Sequence, residues 1–286
     1  MLLSSPAAAQ LQPDRLLDAV ATKAELFQRQ ARDLISEETL TQRCYRIPEH
    51  PHLAIGKAAE PIRARVVLTA LVSAYALGSL KNDRSAELLE IREILEKNGA
   101  PVQTPAVARK ALSADISLGE QKIRKKMLAG FTDLGLLDVA TDYGPILLAF
   151  THAAQRQLTI EPAGPRLFGT EDAFVFRWTQ SGSGLLDLRG RKTSRLAMHG
   201  ELWVRLADGT PLRVTASVEH NDGPRLLRED ATIEFALTPD GCPTPLTVAH
   251  RHYIDAALLT ENLYTYAPFR RFGADTTIRY GGETAK

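Results

Sequence analysis

From Met198 to Tyr280, apolar and polar residues alternate in short runs separated by Asp208-Gly209, Asn221-Asp222-Gly223 and Asp240-Gly241. Period-two alternation broken by such dipeptides is the pattern of antiparallel strands joined by tight turns. Leu202, Val204 and Leu206 oppose Glu201, Trp203 and Arg205, while Leu212, Val214, Ala216 and Val218 oppose Arg213, Thr215, Ser217 and Glu219. Ile233, Phe235 and Leu237 repeat the arrangement, as do Leu246 and Val248, and upstream Phe174, Phe176 and Trp178 alternate with Val175 and Arg177. A meander with one continuously apolar face is therefore predicted. Such a face must be covered by helices, a second sheet or a ligand.

Ahead of the meander the period changes. Pro13-Asp14 opens a predicted helix in which Leu17, Val20, Ala24, Phe27, Ala31 and Leu34 form one stripe, with Lys23, Gln28 and Arg32 on the other face. From Ile35 strand formers take over, and a proline-rich loop lies between Pro48 and Pro61. Residues 62–80 fit a strand or a buried helix equally. Over residues 84–103, Leu88, Ile91 and Leu95 have helical spacing with Gly99 as a stop, yet Asn98-Gly99 is also a strong hairpin dipeptide. Thr104-Pro105 starts a clear helix, with Thr104 as N-cap, which runs with a break at Gly119 to about Gly130. Tyr143-Gly144-Pro145 leads into a short apolar helix over residues 146–154, and the chain from Gln155 onward reads as strand and turn.

The 286 residues are 44% hydrophobic and 24% charged, which suits a globular protein with a sizeable core. Lys+Arg 35 against Asp+Glu 34 leaves a net charge of +1, without the basic excess that nucleic-acid binding requires. The basic runs Lys122-Ile123-Arg124-Lys125-Lys126 and Arg189-Gly190-Arg191-Lys192 read as solvated faces or loops. The longest uncharged stretch, Val66 to Leu80, is shorter than the roughly 20 apolar residues of a membrane span, so none is expected. Residues 1–10 end in the small-residue pattern that signal peptidase cleaves, from which we expect export to the periplasm or beyond. Cys44 and Cys242 fit neither a CxxC pair nor a metal cluster, and two buried thiols are expected rather than a disulfide.

Candidate chemistry is sparse. His250 and His252 share one face of a strand, and His199 and His220 border neighbouring strands, so imidazoles could meet around zinc or copper. No carboxylate or cysteine stands at matching spacing, and a pair of histidines on an exposed strand is the expected reading. His50 and His52, around Pro51, are weaker still. Ser181-Gly182-Ser183-Gly184 is a flexible turn and not a nucleophile elbow, and no phosphate-binding glycine loop is present. The adjacent acids Glu37-Glu38 and Glu229-Asp230 would point to opposite faces of a strand, which suits solvation. Trp203 falls on the polar side of its strand and is expected to pack there. Arg270 and Arg271, between Phe269 and Phe272, suit a charged edge strand.

An amphipathic helix running into a strand, with Gly200-Glu201-Leu202-Trp203-Val204 later in the chain, resembles the outer-membrane lipoprotein carrier superfamily, and within it uncharacterised secreted bacterial members. Leu71-Val72-Ser73-Ala74-Tyr75, the stretch from Arg92 to Val102 with Asn98-Gly99-Ala100-Pro101, Pro145-Ile146-Leu147-Leu148-Ala149-Phe150, and Tyr266-Ala267-Pro268-Phe269-Arg270-Arg271-Phe272 carry the resemblance in order. It implies an α+β fold: a strongly curved antiparallel sheet, a half-barrel, with helices covering its concave face. It also implies that residues 86–103 form a hairpin. Residues 1–12 are then a remnant of an export signal or a loose terminus, and 13–286 one carrier-like domain with a helical insert at about 104–154. The function expected is non-enzymatic and cofactor-free: holding a lipid, a lipoprotein acyl chain or another apolar ligand against Leu202, Val204, Leu212, Val214, Ile233, Phe235 and Val248. The alternative is a structural or interaction module that meets an envelope protein and whose own helices fill the hollow.

Overall fold

The computed structural model describes residues 12–46, 65–79, 88–118, 121–139, 143–180 and 197–272. Its frame is one antiparallel sheet that does not close on itself. The strands are β1 (Leu34–Arg46), β2 (Arg65–Ser79), β3 (Leu88–Lys97) and β4 (Ala100–Pro101), then β5 (Leu158–Phe168), β6 (Glu171–Gln180), β7 (His199–Arg205), β8 (Pro211–Asp222), β9 (Arg225–Leu237), β10 (Pro243–Ile254), β11 (Ala257–Tyr266) and β12 (Arg270–Arg271). They lie in the order β4-β3-β2-β1-β11-β10-β9-β8-β7-β6-β5, with β12 beside the start of β1. Two meanders of sequence neighbours are thus joined along one seam, where β1 meets β11 and Glu38 pairs with Tyr266 and Cys44 with Thr260. This is the α+β half-barrel that the alternation and the resemblance anticipate.

Local chemistry explains the turns. Asn98 (φ 51°) and Gly99 (φ 79°) are both left-handed, as a two-residue hairpin needs, so residues 88–101 form a hairpin and not a helix. Residues 62–80, open between two readings, contain strand β2. A bulge between Pro245 and Thr247 leaves Leu246 without a partner in β9 and 44% exposed, so the apolar alternation expected there begins only at Val248. Leu237, at the end of β9, is also exposed.

Helix α1 (Pro13–Gln30) buries Leu16, Val20, Ala21, Ala24 and Phe27, and Leu17 is only half-buried, one residue off the expected stripe. Thr104 caps α2 (Pro105–Leu118) as expected, its hydroxyl accepting from the Val107 N–H at 3.4 Å, and α3 (Gln121–Asp133) comes next. The helix expected over 146–154 is instead a 3-10 segment (Gly144–Phe150) and a single turn, α4 (His152–Gln155), separated by Thr151. Among the described residues no helix is long and apolar enough to cross a membrane.

The sheet has two unlike faces. On the inner face Leu40, Leu71, Tyr264, Val248, Ile233, Val214 and Leu202 form one core with Leu16, Val20, Ala24 and Phe27 of α1 and Ile146, Leu147 and Phe150 of the 3-10 segment. Burying each large side chain there contributes about 1.5–3 kcal/mol. On the outer face of β2 and β3, Ala74, Ala76, Leu89, Ile91 and Leu95 pack against Ala108 and Leu112 of α2 and Ile123 of α3. The helical insert is therefore divided, with α2 outside the hollow and residues 143–150 inside it. The outer face farther along is solvated, with Glu261 bridging Arg43 (3.1 Å) and Arg251 (2.8 Å). Trp203 packs there beneath Arg213 and beside Phe168, its indole N–H donating to Glu201.

Cys44 and Cys242 are both free and buried. Cys44 shares a row with Thr260 and His252, and Cys242 lies ten residues before His252, about 33 Å along a strand, too far for a bridge. Burial lifts the Cys242 thiol to about 11.

Candidate functional site

The inner face is apolar across its middle and polar toward both ends. At one end β1, β2, β3 and β11 place Glu38, Tyr75, Glu90, Arg92 and Tyr266 together. The Arg92 Nε–H donates to both carboxylate oxygens of Glu38 (2.7 and 2.9 Å), and its Nη1 donates to Glu90 (3.0 Å). All three side chains are 1% exposed. The guanidinium also lies over the rings of Tyr75 (5.1 Å) and Tyr264 (5.3 Å). Glu90 accepts from the Tyr75 hydroxyl (3.0 Å) and from the Gly144 N–H (3.1 Å), which ties the 3-10 segment to the sheet. A Cβ at position 144 would stand 2.5 Å from Glu90 Oε1 and 2.6 Å from the Tyr75 oxygen, so any larger residue pushes these two buried groups aside.

One cation between two carboxylates leaves the buried cluster negative. Burial raises the Glu38 carboxyl above its ordinary range, against the opposing pull of Arg92. The same burial, beside these carboxylates, raises the Tyr75 and Tyr266 phenols and keeps them as donors. A carboxyl raised on folding contributes stability that is complete below the ordinary carboxylate range and is lost as pH rises through its folded value. Glu38→Gln, which leaves a neutral Arg92–Glu90 pair, should therefore gain on the wild type as pH is raised from 4.5 to 8 in urea titrations. A stability difference that stays flat across that range contradicts the assignment.

At the other end a strap formed by residues 134–139 crosses the inner face. Gln42 reads its backbone from both sides, donating to the Leu137 carbonyl (2.6 Å) and accepting from the Leu137 N–H (3.0 Å). Asn262 donates to the Asp138 carbonyl (2.8 Å) and accepts from Gln42 (2.7 Å). His250 lies against Tyr143 and 3.4 Å from Glu229, and His252 is 3.1 Å from Asp138. These histidines are buried, not on an exposed strand as expected, because they share the parity of Val248. Among the described residues no group of three His, Cys, Asp or Glu side chains is placed to hold a metal ion.

A cavity of about 400 Å³ opens beside β3, where β4 is only two residues long and leaves most of that edge uncovered. Ile94, Val102, Ile123, Met127 and Leu134 supply its apolar side chains, and Gly130 of α3 faces it without a side chain. Arg92, Glu93, Gln103, Asp115, Lys126 and Asp133 supply the polar groups. The size falls within the range of ligand pockets.

The seven wall residues expected to meet a ligand are all buried: Leu202, Val204, Val214 and Ile233 at 0%, Val248 at 2%, Leu212 at 6% and Phe235 at 8% exposure. All but Leu212 belong to the core shared with α1. Glu37 is half-buried on the outer face, whereas Glu38 is buried and ion-paired, which corrects the expectation of a solvated acid pair. Glu229 lies beside His250, while Asp230 accepts from Ser217 at 2.7 Å on the outer face. Of the other histidines, His199 is exposed and His220 half-buried. The export pattern, His50 and His52, Ser181 to Gly184 and the second basic run lie outside the described residues. Sequence reasoning missed Glu38, Glu90 and Arg92. Their signal was charge at the core parity of an apolar strand, Glu38 with Leu40 and Arg92 with Ile94.

No family model matches the chain, and no curated protein matches it. Among solved structures, a LolA superfamily protein from Nitrosomonas europaea is similar over 89% of this chain and 93% of its own, at 11% identity and a TM-score of 0.33. A DUF1329 family protein from Desulfovibrio piger is similar over 92% of this chain and 94% of its own, at 9% identity and a TM-score of 0.38.

Proposed function

We propose that this protein is an exported, non-enzymatic binding protein, one domain over residues 13–286, that holds an acyl chain or another apolar ligand between its curved sheet and its helices. The observation that carries the reading is the cavity of about 400 Å³ at the β3 edge, walled mainly by carbon and rimmed by a few polar groups. Burial of a chain there gains roughly 25 cal/mol per Å² of apolar surface, enough for useful affinity without a cofactor. Leu202, Val204, Val214, Ile233, Phe235 and Val248 meet the ligand only when the helices packed on them, α1 among them, move away, and Leu212, also buried, needs its own cover displaced. The periplasm or the exterior is the compartment this reading assigns.

The test uses a neutral apolar fluorophore, phenylnaphthylamine, added to delipidated protein. The wild type should enhance its emission saturably, and Gly130→Leu should abolish the signal. A Cβ at Gly130 meets nothing within 4 Å, so the leucine side chain leaves the helix into open space at the cavity, and losing the glycine should stabilise the helix by about 0.5–1 kcal/mol. Equal uptake by both proteins moves the site elsewhere. Absence of uptake by the wild type favours the second reading, an envelope interaction module with a filled interior. The observation behind that reading is that all seven wall residues are buried, six of them in the core shared with α1.

A further inference from the structure

The polar groups of the cavity are unequal in charge. Glu93, Asp115 and Asp133 face it with Lys126 as their exposed counter-charge, and Arg92 is already neutralised by Glu38 and Glu90. Asp115 of α2 stands near enough to Glu93 of β3 to act on its charge, and Gln103 donates to Glu93 at 3.1 Å. Half-burial raises the Glu93 carboxyl, against the pull of Gln103 and Lys126 and with Asp115 adding to the rise. A carboxylate-headed chain placed in the apolar part would bring a fourth negative charge to this rim. An ammonium head would offset the excess of Glu93, Asp115 and Asp133 over Lys126 among the described lining residues.

We infer that the cavity selects amphiphiles with a cationic head, a long-chain amine in preference to a fatty acid, with Glu93 and Asp115 receiving the ammonium group. This rests on the cavity being the ligand site. Complementary charge at the mouth sets specificity, while the apolar wall supplies most of the affinity.

Three probes with one chain length separate the two parts: dodecylammonium, dodecanol and dodecanoate, each titrated below its micellar concentration by calorimetry. Dodecylammonium should bind about ten-fold more tightly than dodecanoate, with dodecanol between them. The double variant Glu93→Gln/Asp115→Asn should reduce the amine affinity to that of the alcohol and leave the alcohol unchanged. Tighter binding of dodecanoate, or an amine affinity untouched by the double variant, overturns the head-group assignment while the cavity reading stands. Failure of all three probes to bind overturns both.

Discussion

Arg92→Met should cost about 3–5 kcal/mol, the penalty for breaking a buried ion pair by removing one partner. Methionine fills much of the arginine's volume, so the loss is chiefly electrostatic. Glu38 and Glu90, both 1% exposed, would face each other without the cation that now donates to each. Glu90 would keep the Tyr75 hydroxyl and the Gly144 N–H, but those are two neutral donors for a full charge. For a chain of this size the loss corresponds to a fall of about 10 °C in Tm. Glu38→Gln/Glu90→Gln/Arg92→Met, which removes every charge from the cluster, should recover most of it. Urea unfolding of the single and triple variants reads both quantities. A cost below about 1 kcal/mol for the single variant would mean that water reaches the cluster, contrary to its burial.

Gly200→Ala should be nearly as damaging, for a purely steric reason. A Cβ there would overlap the backbone carbonyl oxygen of Thr215 and lie 2.7 Å from its carbon and 3.2 Å from the Ala216 Cα. Backbone atoms within a sheet cannot rotate aside, so β7 must shift away from β8. The bond from the Glu201 N–H to Thr215 Oγ1 (2.9 Å) and the pairing of Leu202 with Val214 go with it. The expected cost is about 3 kcal/mol, the upper end for overpacking. Gly130→Ala, which meets open space, serves as the matched control and should not destabilise. Equal melting temperatures for the two variants would show that the β7–β8 approach is looser than its geometry.

Much of the frame was legible because local chemistry and alternation agree. Asp-Gly and Asn-Gly turns, Thr104 before Pro105, and the parity of Leu202 with Val204 each state the same answer as the fold. Leu246 misled because an inserted residue reverses the parity of the strand beyond it, and nothing in Pro245-Leu246-Thr247 announces the bulge. The binding geometry was less visible. Arg92 meets Glu38 across 54 residues, a partnership that only strand order creates. The cavity depends on α3 lying beside β3 with Ile123 in the outer cluster and Met127 and Phe131 in the inner core, and the apolar spacing of α3 does not announce that placement.

The seam between the two meanders has a consequence during synthesis. Gln42 must wait for Asn262, 220 residues later, before β1 gains its second neighbour. At about 5–20 residues per second the first hairpin would spend roughly 10–40 s on the ribosome with one long flank unpaired. An unpaired flank of this kind recruits other strands, so newly made chain is most exposed to aggregation in that interval, and a holding chaperone would act there.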